Sequence, residues 1–372
     1  MDKLTRAYIE ALVTWADGGL TVLPYSSAPD SSTVIAGQGQ GSWGLFKNRT
    51  AREMTFHRLE FQNEVLGDEK IQFFPNDFRI LLPDTGPAKV RSAYNLVFVA
   101  DAQVKIDIPE GYKKDETRES AERKLSNFGQ ALIQKDERQG DASPLVYMKT
   151  NSIAFGLGAV QTVWKQNAYP KDPVRKKGEK QEDWDERKRQ HHAICMETDP
   201  YETKSVHFLS VCYDRAHKPP RWAFTKESTT PWDAAEDYPY WAKTVGEPLL
   251  PSPNARPLVK VWFWTPEYCA CYIDGEPAIG PGGKGTGAYK ANEDGIAKNP
   301  YGFIPIDFAP GGHGDQDPDN RPEYELVGLY KGLVDLLLTE ASCFTLEEIQ
   351  RQRESYGGKM VVFAEDAVVA NE

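Results

Sequence analysis

Residues 299–308 read Asn-Pro-Tyr-Gly-Phe-Ile-Pro-Ile-Asp-Phe, and after an acidic Gly/Pro/Asp loop (Gly311 to Pro322) residues 323–356 read EYELVGLYKGLVDLLLTEASCFTLEEIQRQRESY. The second stretch contains no proline, and its only glycines are Gly328 and Gly332. As one helix it would span roughly 50 Å, several times the mean globular helix. A helix that long is expected to serve a bundle, a coiled coil or a ring of subunits. The first stretch reads as a short extended strand leading up to it.

The rest of the chain frames that helix. With 372 residues, 40% hydrophobic and 27% charged, the composition is that of a soluble globular protein with room for more than one core. The net charge of −11 argues against a surface that grips nucleic-acid phosphates by counterion release, though not against one that DNA slides past. No apolar run is long enough to span a bilayer, and Met1–Trp15 lacks the basic-then-apolar order of a signal peptide, so an intracellular protein is expected. Five cysteines without an export signal are expected to be free thiols. Cys269 and Cys271 fall on one face of a strand and read as small core residues, and nothing completes a metal shell around His191-His192.

Along the chain, helical spacing covers Leu4–Trp15, and Ser26–Gly44 reads as an extended arm, so residues 1–50 form an N-terminal segment. A helix is expected over Thr50–Leu66, then strands over Arg79–Leu82 and Asn95–Ile108. Asp115–Asp136 places Ala121, Leu125, Phe128 and Leu132 on one helical stripe. Ser143 caps a further helix with Pro144 in its first turn, ending at Gly156 or Gly158 before a strand over Ala159–Lys165. Lys171–Gln190, mixed in charge and nearly free of apolar residues, reads as an exposed mobile insertion, set at 168–192. The middle is β-rich. Val206–Tyr213 returns through Arg221–Thr225, Thr230–Pro253 is a proline-broken connector, and Leu258–Thr265 pairs with Tyr268–Ile273 ahead of a tight Asp274-Gly275 turn.

Motifs for chemistry dissolve on inspection. In Gly280–Gly287 the first glycine of a P-loop falls on Ala278 and Lys284 is followed by Gly285, so a flexible hairpin tip is expected. Asp315, Asp317 and Asp319 have alternate spacing but lack the central Gly and terminal Glu of a calcium loop, which leaves a solvated turn. No Gly-x-Ser-x-Gly or His-Glu-x-x-His is present, and the adjacent Glu347-Glu348 cannot face each other across a substrate. No catalytic, cofactor or metal residues are assigned.

The order of parts carries more than any motif. A helix ends in Ala154-Phe155-Gly156-Leu157-Gly158 and runs into a strand. Then come the Tyr213-Asp214-Arg215-Ala216 turn with its Arg221-Trp222 return, the strands around Trp262–Ile273, and Pro300-Tyr301-Gly302-Phe303-Ile304-Pro305. Last is Glu325–Asp335 at the head of the long run. Together these resemble the portal (head-to-tail connector) proteins of tailed bacteriophages, over about Ser143–Glu372.

The resemblance implies an α+β fold, with a wing domain of helices and antiparallel strands over 51–322, a first stem helix over 323–356 and the start of a clip at 357–372. It implies a dodecameric ring at one capsid vertex, with double-stranded DNA passing along its axis during packaging and ejection. Partners would be the large terminase subunit, head-completion or adaptor proteins and the major capsid protein. The location would be the virion, and the host cytoplasm during assembly, with no membrane and no cofactor. Leu326, Leu329, Leu333, Leu337 and Phe344, with Ala341, would pack subunit against subunit. Asp335, Thr339, Glu340 and Ser342 would face the channel, where an acidic surface repels phosphates. Family members return from the clip through a second stem helix and a channel loop, usually to a crown. This sequence ends soon after Lys359–Phe363, so those parts are expected on further chain or on another polypeptide. The alternatives are a hydrolase with an acidic, aromatic-lined cleft using acids of Asp233–Asp237 or Asp315–Asp319, and an oligomeric adaptor without a DNA channel.

Overall fold

A computed structural model describes residues 4–16, 43–61, 80–97, 104–107, 115–138, 143–164, 173–175, 177–178, 180–197, 201–246, 256–281, 289–311, 314–315, 317 and 321–355. In chain order the helices are α1 (Arg6–Ala16), α2 (Gly44–His57), α3 (Thr85–Val97), α4 (Asp115–Glu137) and α5 (Pro144–Phe155), followed by strand β1 (Leu157–Trp164) and helix α6 (Gln181–Glu197). Strand β2 (Tyr201–Val206), a 3-10 turn at Phe208–Ser210, β3 (Val211–Tyr213) and β4 (Ala223–Thr229) come next, then the short helices α7 (Pro231–Asp237) and α8 (Pro239–Val245). Strands β5 (Leu258–Trp264), β6 (Tyr268–Ile273), β7 (Glu276–Pro277), β8 (Ile296–Lys298) and β9 (Ile306–Pro310) precede α9 (Pro322–Glu325), a second 3-10 turn at Leu329–Gly332 and α10 (Val334–Ser355).

The strands form two sheets, and every pairing between them is antiparallel, so the fold is mixed α+β. The first sheet runs β2-β1-β9, with Ala159 opposite both Val206 and Phe308. The second runs β3-β4-β5-β6-β7, with β8 also on β6. Its centre is apolar on both faces: Phe263 lies opposite Ala270 and Trp264 opposite Cys269, all fully or almost fully buried. Trp262 stacks on Trp264 at 5.1 Å, and its indole N–H donates to the Tyr238 hydroxyl at 3.0 Å. The β6–β7 turn is made by Asp274 (φ 48°) and Gly275 (φ 84°), and Cys269 and Cys271 are buried free thiols, as their spacing implied.

Helix α5 is the hub between the first sheet and the helices. Ser143 accepts the Val146 N–H, Pro144 occupies the first turn, and the helix closes on Gly156 in the left-handed region. Helix α4 forms where its stripe predicted, yet Leu125 and Phe128 stay about half exposed. Residues 104–107 run beside it, the Val104 N–H donating to Gln130 Oε1 (3.0 Å) and the Ile106 N–H to Ser126 Oγ (2.9 Å).

Several expectations are corrected. The helix set at Thr50–Leu66 begins at Gly44 and is over by His57, with Trp43, taken as part of the arm, buried just before it. The strand read over Asn95–Ile108 is not found among its described residues, 98–103 and 108 lying outside them. Asn95–Val97 closes α3, and 104–107 is extended but bonded to helix side chains rather than to a strand. Ile80–Leu82 is likewise outside any strand. Val206–Tyr213 is not one strand but the end of β2, a 3-10 turn and β3, the two strands lying in different sheets. The charged insertion holds most of α6, which continues past it to Glu197 and is supported by pairs one turn apart such as Gln181–Asp185 and Gln190–Glu186 and by Arg187 and Lys188 over the Trp184 ring. Thr230 accepts the Asp233 N–H and starts α7, so the proline-broken connector holds two helices, each with its proline in the first turn. The arm up to residue 42, most of the Gly280–Gly287 tip and the segment from Tyr356 onward lie outside the described residues.

The largest correction concerns 323–356. The run is a single turn at Pro322–Glu325, a 3-10 turn at Leu329–Gly332 and a 22-residue helix from Val334, about 33 Å long. Leu326 leaves helical geometry (φ −92°, ψ 82°) and Gly328 is extended (φ −102°, ψ −180°). The backbone there is pressed against the end of α5: a Cβ on Gly328 would lie 2.2 Å from the Ala154 carbonyl oxygen. Tertiary contact overrides helical spacing at this point.

Candidate functional site

The bend at residues 311–333 is where distant parts of the chain converge. Gly156 (φ 89°) ends α5 against the Leu326–Val327 backbone, where a Cβ would come within 2.5 Å, and its carbonyl accepts the Gly311 N–H at 2.7 Å. Tyr330, fully buried in the second 3-10 turn, stacks on Phe155 and bonds through its hydroxyl to His57 Nδ1 at 2.9 Å.

Charged groups do the rest of the fastening. Arg49 of α2 donates its two terminal nitrogens to the carbonyl oxygens of Glu323 and Leu326, so one guanidinium grips both ends of α9. Its Nε lies 3.1 Å from Glu53 Oε1, too poorly aligned for a hydrogen bond, and neither Glu53 oxygen has a hydrogen-bond donor among the described residues. Arg215, in the turn after β3, forms an ion pair with Glu325 and lies over the Trp43 ring. Asp317 accepts from Arg321 Nη2 (2.9 Å), Arg321 Nε (3.1 Å) and the Arg321 N–H (2.9 Å). Burial pushes the Glu53 carboxyl up to about 7 and lowers Arg49 and Arg215. It also lowers His57, with Arg58 and Arg91 adding to the effect.

Beside the bend lies an open groove of about 630 Å³. Its lining includes Tyr213, Arg215, His217 and Lys218 together with Phe303, Ile304, Phe308 and Glu325. Tyr213 stacks on Phe308 at 4.0 Å. Two stretches singled out in the sequence, Tyr213–Ala216 and Tyr301–Pro305, therefore meet here at the head of the last helix. Asn299 holds the second in shape, donating to the carbonyls of Thr265 (2.7 Å) and Phe303 (2.8 Å).

The residues expected to line a channel divide. Asp335 and Thr339 are exposed and Ser342 is half-buried on one flank of α10, with Thr339 and Ser342 bonded to carbonyls of their own helix. Glu340 lies elsewhere on the helix and accepts from the Thr85 hydroxyl at 2.8 Å, tying α10 to the start of α3. Of the residues expected to pack subunits, Leu326 and Leu337 are buried in the chain's own core with Ala341, and Leu329 and Leu333 are half-buried against it. Phe344 is 45% exposed, and Leu336 and Leu346, which the stripe left out, are 64% and 54% exposed. Among the described residues, the acids offered for a hydrolase are occupied or exposed: Asp233 accepts from Thr230 in a helix cap, Asp317 holds Arg321, and Asp315 faces solvent, while Asp319 lies outside them. Asp317 is thus not part of a solvated turn. No group of three or more potential metal ligands occurs among the described residues, and no described helix is long and apolar enough to cross a membrane.

Sequence reading missed Arg49 and Glu53. Their one-turn spacing was visible, but nothing local marks an ion pair on a polar helix as buried. No protein-family model matches the chain, and no curated protein matches it.

Proposed function

We propose that this chain is the wing and first stem helix of a portal-type connector, a non-enzymatic ring protein at a phage capsid vertex. Double-stranded DNA would pass through the ring, and terminase, head-completion proteins and coat protein would dock around it. The order of sequence motifs from Ala154 to Asp335 motivates the reading. The observation that carries it is the two-sided character of α10. One face (Val334, Leu337, Ala341, Thr345, Ile349) is buried in the chain's own core, while Leu336, Cys343, Phe344 and Leu346 stand exposed on the remaining surface. Apolar residues left uncovered along a 22-residue helix suit contact with neighbouring copies. Asp335 and Thr339, exposed on the same helix, suit a wall that does not hold phosphates.

Light scattering and negative-stain electron microscopy of the purified chain test this. Rings with a central hole are expected, and the paired change Leu336→Glu with Phe344→Glu should reduce them to single copies without loss of helix content. A wild-type chain that stays monomeric with any downstream coding sequence attached would sink the proposal.

A further inference from the structure

Glu53 is the most buried carboxylate among the described residues, 2% exposed, in the middle of the groups that fasten the bend. Each element packed there contributes a charged or titratable group. Helix α2 brings Arg49 and His57, α9 brings Glu323 and Glu325, the turn after β3 brings Arg215, the loop before α9 brings Asp317 and Arg321, and the second 3-10 turn brings Tyr330 and Lys331. Arg215 is matched by Glu325 and Arg321 by Asp317, while His57 is held toward its neutral form by burial and bonded to Tyr330. That leaves Arg49 and Lys331 as the cations acting on Glu53, and Arg49 has turned both terminal nitrogens to the α9 carbonyls.

We propose that Glu53 is a proton-operated latch on this bend: neutral, it lets α2 close on residues 322–333, and ionised, it draws water between them and loosens the segment that aims α10. The geometry makes the charged form costly, because two carboxylate oxygens lie out of solvent without a donor, beside a guanidinium already engaged elsewhere. The inference concerns one copy of the chain and does not depend on the ring.

Burial raises the Glu53 carboxyl from its ordinary 4.5 to about 7, more than Arg49 and Lys331 lower it. The closed bend therefore holds a proton that the open, hydrated bend releases. Its extra stability is complete below about 4.5 and is lost as pH rises through about 7. Between pH 6 and pH 8 the population of the open bend should rise about tenfold.

Hydrogen exchange of the backbone amides of residues 322–337, measured on the full chain at both pH values and corrected for intrinsic exchange, reads that change. The expected result is a roughly tenfold loss of protection in the wild type and none in Glu53→Gln. A flat wild type, or the same loss in Glu53→Gln, overturns the latch. If Glu53→Gln does not fold, a carbon-13 NMR titration of the Glu53 carboxyl in the wild type decides: a midpoint near 7 upholds the proposal, and one near 4.5 overturns it.

Discussion

At the centre of the β5–β6 hairpin, Phe263 faces Ala270 and Trp264 faces Cys269, partners seven and five residues apart with no charge among them. At the bend, Arg49 grips carbonyls 274 and 277 residues further along, and the neighbouring contacts are ion pairs and a His–Tyr bond. The hairpin is stabilised by excluding water from apolar surface, which is indifferent to pH and grades smoothly with area. The bend depends on buried charges whose partners must all be present, so it is stable only conditionally. One region holds its shape under any conditions that preserve the core, while the other can respond to them.

The contrast can be tested from its strong end downward. Phe263→Ala should cost about 3–5 kcal/mol of unfolding free energy, read from urea midpoints, and equally at pH 6 and pH 8. A pH-dependent loss there would break the distinction. Arg49→Ala should approach about 3 kcal/mol at pH 8, where Glu53 would be left as a buried charge without its partner. At pH 6, with Glu53 protonated, the loss should be clearly smaller. Equal losses at the two pH values would mean that Arg49 matters only for its grip on the α9 carbonyls. Ser143→Ala, which removes the cap of α5, should cost only about 1 kcal/mol and leave both pH responses untouched.

Legibility in the sequence follows the same division. The β5–β6 pairing, the Asp274-Gly275 turn, the cap at Ser143 and the stop at Gly156 were readable because each is set by neighbours within a few residues. Helix α4 was found for the same reason, although its stripe did not foretell that Leu125 and Phe128 would stay partly exposed. The long run from Glu323 misled because helical spacing continues through Gly328 while the Ala154 backbone, far away in sequence, forbids it. Asn95–Val97 misled in the opposite direction: read as the start of a strand, these residues close α3. Helix α6 was hidden by its charge, since it has little apolar face to announce it. The Arg49–Glu53 pair was beyond local reading altogether, because what buries it lies on α9 and the turn after it.

The register of β1 has a bearing on how such a chain could be rebuilt. Val206, the last residue of β2, lies opposite Ala159, and Ile306, the first of β9, lies opposite Gln161 on the other side of the same strand. The excursion 207–305, carrying the whole six-stranded sheet, thus departs and returns across a gap of about 12 Å, which a linker of four or five residues can bridge. The pairings of the three-stranded sheet are made entirely by β2, β1 and β9. The excursion is nevertheless packed against the rest of the chain, through Tyr213 on Phe308 and Trp43, Phe208 on Phe155, and Arg215 with Glu325. A different insert between Val206 and Ile306 could therefore keep the ends in place, provided that it also supplies groups to cover Trp43, Phe155 and Phe308.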